Sequence, residues 1–279
     1  MYKTSLAFND IISKGTIFWK DIMYKHNVVL FEDIELSREQ FGTVSDLFGH
    51  NWSKEIYELY AESHEKDNIT NWSNRTGLKN TPLPWHRDMP FHESWCAPIR
   101  VLYSVSIPEN KGGHLGYTDT SLLYDSLMQE EKNYFENLEV EITFYKDTNI
   151  RRWEDFILTN PVTNRKFFNV NAFDKNVDFY GLKKREDYIP GKTAIQSIRK
   201  KDTKKIVPLD VIVDVVKRSM KLNFFEHRWK ENQFLVTTNL DYIHCRTAIE
   251  ESEKERLLWR RTVFHDYQYK LYLKEKENV

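Results

Sequence analysis

Two histidines and one aspartate stand out because their residue types and spacing could hold a metal ion. His86 and Asp88 are separated by one residue, and His244 lies far downstream. Two histidines and a carboxylate form the facial triad that binds iron(II) and leaves coordination positions open for oxygen chemistry. Side chains of a strand alternate between its faces, so His86 and Asp88 would share a face and Arg87 would point away. The spacing therefore predicts a metal site.

The overall composition is that of a folded globular protein whose partner is small. Hydrophobic residues make up 40% of the 279 residues and aromatic residues 14%. The 41 basic and 42 acidic residues give a formal net charge of -1, so no global field attracts nucleic acid or a membrane surface. We predict a small-molecule substrate, with neither nucleic acid nor a membrane as partner. The oligomeric state stays open.

The N-terminal segment and the cysteines bear on location. Met1 to Lys20 carries scattered charges and no unbroken apolar core, unlike a signal peptide or a spanning helix, which predicts a cytoplasmic protein. The two cysteines, Cys96 and Cys245, are too few for a disulfide framework. Cys245 follows His244 directly, so on a strand it would face away from the metal, and we expect a buried structural thiol.

Short strands with turn signals, interrupted by helices, predict a mainly β fold with flanking helices. The architecture that fits is a double-stranded β-helix, a cupin-like jelly roll, in which strands distant in sequence become neighbours at the barrel mouth. We interpret 1–279 as one domain with three parts: a helix–strand–helix segment at 1–50, a loop at 51–84 and a barrel core at 85–265.

Individual segments give local predictions. Val28–Phe31 is typical of a strand, and Ser37-Arg38-Glu39-Gln40 is a capping box that opens a helix. The loop at 51–84 ends beside a metal ligand, which favours an active-site lid, with an ordinary connector as the alternative. Residues 182–206 are rich in charge, which is typical of a solvated loop, although a partner surface stays open. Leu209–Leu222 predicts a helix.

Pieces spread along nearly the whole chain share their order and spacing with one known family. They are Asn27-Val28-Val29-Leu30-Phe31, Phe48-Gly49, Pro84-Trp85-His86-Arg87-Asp88-Met89-Pro90-Phe91, Pro108 to Gly113, Tyr124-Asp125-Ser126-Leu127, Arg228-Trp229, Asn239, His244-Cys245-Arg246-Thr247-Ala248, Arg256 and Arg260. In this order the chain resembles the taurine/2,4-D dioxygenase-like family of iron(II)- and 2-oxoglutarate-dependent oxygenases, which includes clavaminate synthase-like enzymes. The order is more specific than any single piece.

The resemblance implies a metal centre and a cosubstrate site. Fe(II) would be held by His86, Asp88 and His244, and 2-oxoglutarate and O2 would be the cosubstrates. In the family, 2-oxoglutarate chelates the metal through its keto acid end, while its far carboxylate pairs with an arginine on a late strand. Arg256 is the candidate, because a guanidinium grips a carboxylate bidentately and keeps its charge. The alternative for Arg256 is a surface salt bridge.

The resemblance also suggests residues that bind substrate. Arg260 follows Arg256 by four residues, on the same face of a strand, where relatives use a similarly placed arginine for an anionic group. Arg261 would point outward. A surface salt bridge is the alternative for Arg260 too. Further residues expected at the pocket are Arg246, Leu115, Asn171 and Trp85.

Two positions depart from the family pattern. After Gly112-Gly113 the family commonly has a threonine whose hydroxyl helps to hold the 2-oxoglutarate carboxylate, and this chain has Leu115. The cosubstrate would lose one hydrogen bond, worth ~1 kcal/mol, or take it from a neighbour such as Thr118 or Tyr117. The asparagine that taurine enzymes carry four residues before the first ligand histidine is Pro82 here, which argues against taurine as substrate.

The function that these observations favour is the hydroxylation of an unactivated C–H bond in a small polar or anionic substrate, with release of succinate and CO2. Desaturation, cyclisation and epimerisation are alternative outcomes of the same chemistry. Asp88 argues against a halogenase, because those enzymes leave the carboxylate position to chloride. The alternatives from other classes are a cupin-like small-molecule binding protein without redox chemistry and a zinc hydrolase.

Overall fold

The computed structural model of this chain describes residues 1–51, 68–74, 82–88, 99–109, 111–144, 147–171 and 195–277. Its strands are β1 (Tyr2–Thr4), β2 (Val28–Phe31), β3 (His50–Asn51), β4 (Thr70–Ser73), β5 (Leu83–His86), β6 (Ile99–Ser106), β7 (Leu115–Asp119), β8 (Leu138–Phe144), β9 (Asp147–Asp155), β10 (Ile157–Thr159), β11 (Lys166–Phe168), β12 (Ile195–Lys200), β13 (Ile206–Val207), β14 (Phe224–His227), β15 (Phe234–Thr237), β16 (Tyr242–Arg246) and β17 (Leu257–Phe264). Its helices are α1 (Phe8–His26), α2 (Arg38–Ser45), α3 (Thr120–Ser126), α4 (Gln129–Glu136), α5 (Asp210–Asn223) and α6 (Asp266–Glu277).

Two sheets form the barrel. The larger has the order β1-β2-β15-β6-β17-β3, with β4 also paired to β17, and the smaller has the order β14-β7-β16-β5. Apolar side chains from both sheets meet between them, Leu30, Leu235 and Leu258 from the larger and Leu115 and Tyr117 from the smaller. The non-consecutive strand order and the shared core confirm the predicted double-stranded β-helix.

Each sheet also has a covered outer face. Helices α1 and α2 pack on the larger sheet through Trp19, Phe41 and their neighbours. The outer face of the smaller sheet contributes Ile243 and Cys245 to a second core, which includes α5 and the sheet β13-β12-β8-β9. Because both faces of the larger sheet are covered, its strands β2 and β15 are buried throughout and almost continuously apolar rather than alternating.

Local signals in the N-terminal segment are confirmed. Val28–Phe31 is strand β2, and every residue in it is buried. At the start of α2, the Ser37 hydroxyl accepts from the Gln40 backbone N–H, and the Gln40 side chain accepts from the Ser37 N–H at 2.9 Å. The helix that was predicted at Leu209–Leu222 is α5. These features depend on neighbours in sequence, so local patterns suffice to predict them.

Two segments predicted as loops contain strands. Within 51–84, residues 70–73 form β4, which pairs with β17, and residues 83–84 begin β5. Within 182–206, residues 195–200 form β12, because Ile195 and Ile198 bury their side chains at the pairing with β8. Residues 52–67, 75–81 and 182–194 lie outside the described residues. The lid therefore stays a prediction.

Candidate metal and cosubstrate site

The three predicted metal ligands meet at the inner face of the smaller sheet. His86 on β5 and His244 on β16 are directly opposite each other, and their ring centroids are 4.4 Å apart. Asp88 lies two residues beyond the end of β5, and its Oδ1 is 3.3 Å from His86 Nε2. One ligand atom from each residue lies within 4.8 Å of the others. The strand ends before Asp88, yet its carboxylate still turns to the histidines.

Neighbouring groups orient these ligands. The Nδ1 of His86 is 2.6 Å from the Pro84 carbonyl oxygen, so Nδ1 carries the proton and donates, which leaves the Nε2 lone pair for a metal. Asn239 holds the backbone of Asp88 from both sides: its Oδ1 accepts from Asp88 N at 2.9 Å and its Nδ2 donates to Asp88 O at 3.1 Å. Asn239 is one of the residues that the chain shares with the family, but the sequence predicted no role for it. Nothing local in the sequence links it to Asp88.

A buried arginine on the larger sheet fixes the carboxylate. Arg100 on β6 donates from Nε to Asp88 Oδ2 at 2.7 Å and also hydrogen-bonds the Thr262 hydroxyl. Burial alone would raise the pKa of Asp88, but Arg100 and the two histidines hold it well below its ordinary value. Arg100 was not among the residues predicted from the sequence. The signal in the sequence was a single charged residue near the start of a mostly apolar strand.

The protonation states of the triad suit a metal ion. Burial, with His86 and Arg100 nearby, lowers the pKa of His244 to about 3, so its ring is neutral at physiological pH. Asp88 is ionised. Metal binding requires neutral imidazole and ionised carboxylate, and two nitrogens with one oxygen on one side fit iron(II) with open positions opposite.

Arg256 forms a buried cationic site in the same barrel. Its side chain is 3% exposed, and its Nε has no hydrogen-bond partner among the described residues. A Cβ on Gly113 would lie 2.8 Å from that Nε, so the guanidinium occupies space that only glycine leaves open. Burial, with Arg246 nearby, lowers the pKa of Arg256 to about 9, so it stays a cation. A buried cation of this kind requires an anion, and a carboxylate fits.

Arg246 and Arg260 both contact the ring of the same aromatic residue. Their guanidinium carbons are 5.6 and 5.1 Å from the ring centroid of Trp72 on β4. Trp72 is in register with Leu258 of β17. Leu258 lies between Arg256 and Arg260 in the sequence, and its side chain packs inside the barrel. As predicted, Arg261 points outward and pairs with Asp46, on the side of α2, at 3.1 Å.

Not every predicted pocket residue lies on the metal side. Leu115 does, because it packs in the barrel interior opposite Arg246. Trp85 is fully buried in the outer core with Ile243, since it precedes His86 and side chains alternate. Asn171 donates to Asn169, which accepts from Arg87 on that same outer side. The placement of Trp85 and Asn171 in the pocket is therefore corrected.

A double-stranded β-helix that carries a two-histidine, one-carboxylate triad beside a buried arginine defines a class, the iron(II)- and 2-oxoglutarate-dependent oxygenases. The family model for the taurine catabolism dioxygenase TauD, TfdA family matches residues 18–262. The chain belongs to this family. It is therefore a dioxygenase whose cofactor is iron(II) and whose cosubstrate is 2-oxoglutarate, and the triad fits that metal.

Solved structures share the fold at low sequence identity. A taurine dioxygenase from Burkholderia xenovorans is 17% identical with a TM-score of 0.65, over 90% of this chain and 81% of that one. AAD-2, solved with Mn(II) and N-oxalylglycine, is 17% identical with a TM-score of 0.65, over 94% and 93%. PvcB, an oxygenase from an isonitrile synthetic pathway, is 12% identical with a TM-score of 0.66, over 95% and 87%.

Two further findings are negative. No curated protein matches the sequence significantly. Among the described residues, no helix has both the length and the apolar character needed to cross a membrane.

Proposed function

We propose that this protein hydroxylates an unactivated C–H bond of a small polar or anionic substrate. Iron(II), 2-oxoglutarate and O2 would supply the oxidation, in which one oxygen atom enters the substrate and the other enters succinate, with loss of CO2. The observation that carries the proposal is the meeting of His86, Asp88 and His244 at one point inside the barrel. The cytoplasmic location and the single-domain organisation stay predictions.

Three residues would bind the metal, and two others orient one of these ligands. His86, Asp88 and His244 would hold iron from one side of the smaller sheet, which leaves the opposite positions for cosubstrate and O2. Arg100 and Asn239 keep the Asp88 carboxylate and backbone in place. Their fixed geometry spares the ligands any reorganisation when the metal binds.

The substrate class is inferred from Arg260 on β17. Arg260 is half-buried, lies on the interior side of β17 and contacts the face of Trp72. A guanidinium beside an aromatic plane suits a carboxylate, sulfonate or phosphate attached to an organic body. Pro82, at the position of the family's asparagine, favours a substrate other than taurine.

Other oxidative outcomes stay open as alternatives, because desaturation, cyclisation and epimerisation depend on where the substrate carbon lies. A cupin-like protein without redox chemistry is disfavoured, because the neutral His244 imidazole, the ionised Asp88 carboxylate and the buried Arg256 guanidinium occur together. The family assignment supports the enzyme.

The first experiment is an anaerobic titration of the purified protein with iron(II) and then with 2-oxoglutarate. Formation of the metal chelate is followed by its visible charge-transfer band. The proposal predicts a band in the wild type, no band in His86→Ala, and a much higher 2-oxoglutarate requirement in Arg256→Ala. Succinate release would then screen amino acids, sulfonates and carboxylates as substrates. A wild type that binds iron(II) without forming a band would contradict the proposal.

A further inference from the structure

Leu115 cannot donate a hydrogen bond to the cosubstrate. It occupies the position at which related enzymes commonly have a threonine that helps to hold the carboxylate of 2-oxoglutarate. Its side chain is 5% exposed in the barrel interior and offers no hydrogen-bond donor. Another group must donate in its place, or the cosubstrate binds with one hydrogen bond fewer.

The two neighbours that the sequence suggested, Thr118 and Tyr117, do not supply this hydrogen bond. Thr118 is in register with Ile243, which belongs to the outer core, so its hydroxyl lies on the other face of β7. Tyr117 shares the face of Leu115, but its ring stacks on Phe225 and lies 5.9 Å from the ring centroid of His244. It is therefore displaced toward the metal and away from Arg256.

Strand pairing places two buried polar side chains directly beside Leu115. In β7, Leu115 is in register with His227 of β14 on one side and with Arg246 of β16 on the other. Residues directly opposite in antiparallel strands point to the same face, with Cβ atoms about 5 Å apart. His227 is 4% exposed and Arg246 3% exposed. An imidazole and a guanidinium therefore flank the leucine.

The guanidinium of Arg256 faces the same patch. It lies where a Gly113 side chain would be, and its Nη2 donates to the Gly113 carbonyl oxygen at 3.4 Å, just before Leu115 begins β7. The pKa shifts agree with this closeness. Arg246 helps to lower the pKa of Arg256. Burial, together with Lys3, His114 and Arg256, lowers the pKa of His227 to about 3. His227 is thus neutral, and its buried Nε2 has no hydrogen-bond partner among the described residues.

We propose that His227 and Arg246 take the place of the family's threonine and complete, with Arg256, the binding site for the distal carboxylate of 2-oxoglutarate. This inference rests on the proposed function. A carboxylate has about four acceptor positions. The fork of Arg256 fills two of them, and the Nε2–H of His227 and an N–H of Arg246 fill the others. The cosubstrate site is then complete without a hydroxyl at position 115.

The test compares two ligands that differ only at the distal end. 2-Oxopentanoate is 2-oxoglutarate with a methyl group in place of the distal carboxylate, so it can chelate iron(II) but cannot use this site. Anaerobic chelate titrations give the Kd of each. His227→Leu is expected to weaken 2-oxoglutarate binding about tenfold and Arg246→Met about tenfold or more, because each removes a donor to a charged group. The Kd of 2-oxopentanoate should not change, and His227→Gln, which keeps an N–H, should retain most of the affinity.

A substitution that removes no buried group gives an independent test. Leu115→Thr restores the family residue and should change the 2-oxoglutarate Kd less than about twofold, because the site already has its donors. A gain of about fivefold or more, the value of one neutral hydrogen bond, would show that a donor was missing and would overturn the inference.

Other outcomes are equally decisive. Among the described residues, Trp229 Nε1 is a further buried ring N–H of this core without a hydrogen-bond partner, and Trp229→Phe removes it. If it alone weakens binding while the His227 and Arg246 variants bind normally, the assignment is wrong. Equal losses for both ligands would indicate general structural damage and would also contradict it. A wild type that forms no chelate with either ligand would instead overturn the proposed function itself.

Discussion

Replacing Gly113 with alanine should damage the cosubstrate site while leaving the metal site intact. Gly113 has φ 72°, where an L-residue costs about 1 kcal/mol or more of stability. The new Cβ would lie 2.8 Å from Arg256 Nε and 3.1 Å from Ile249 Cγ1, well inside ordinary contact distance. Because Arg256 is buried, its guanidinium must shift by several tenths of an ångström, which disturbs a bidentate grip.

The magnitude follows from the hydrogen bonds at risk. Loss of one charge-assisted hydrogen bond costs about 1.5–3 kcal/mol, so the 2-oxoglutarate Kd of Gly113→Ala should rise roughly 10- to 100-fold. The iron(II) affinity should stay unchanged, because the triad is held by other groups. Anaerobic chelate titration measures both constants, and urea unfolding measures stability.

Gly15 provides the matched control. It has the same φ of 72°, and an added Cβ would meet nothing within 4 Å. Gly15 also has ψ 171°, a backbone conformation that is essentially restricted to glycine, so Gly15→Ala should lose about 1–3 kcal/mol of stability through the backbone alone and bind 2-oxoglutarate normally. Unchanged 2-oxoglutarate affinity in Gly113→Ala would refute the assignment of Arg256 to the distal carboxylate.

Three further predictions concern other positions. Burial, with Asp119 nearby, raises the pKa of Asp241 to about 6. Because the folded state holds this proton more tightly than the unfolded state, the protein is more stable at low pH, and this extra stability is lost as the pH rises through 6. Asp241→Asn should therefore be about 3 kcal/mol more stable than the wild type at pH 8 and gain nothing at pH 4, by urea unfolding; a gain that is equal at both pH values would contradict this. Asn239→Ala removes both hydrogen bonds to the Asp88 backbone and should weaken iron(II) binding about tenfold, measured by metal titration. An unaltered iron(II) affinity would show that these two hydrogen bonds are not needed for metal binding. Arg260→Ala should raise the KM for an anionic substrate and leave the 2-oxoglutarate Kd unchanged, and an enzyme with normal KM would exclude Arg260 from the substrate site.

Much of the site could be predicted from residue types. His86, Asp88 and His244 carry chemistry that few other combinations supply, and Arg256 follows at a spacing typical of the family. The capping box at Ser37 and the strand at Val28–Phe31 were also predictable, because both depend on side chains a few residues apart. Signals of this range are read from the chain without knowledge of the fold.

The tertiary structure alone decided what surrounds these residues. Arg100 and Asn239 reach Asp88 from β6 and from the turn before β16, and no pattern in the sequence joins these segments. Strand register placed His227 and Arg246 beside Leu115, and alternation along β5 turned Trp85 to the outer core. Register is set by the packing of many side chains from distant strands, and a shift of one residue exchanges the two faces of a strand. The residue types thus determined which metal the protein can hold, and the pairing of strands determined which groups tune and complete its site.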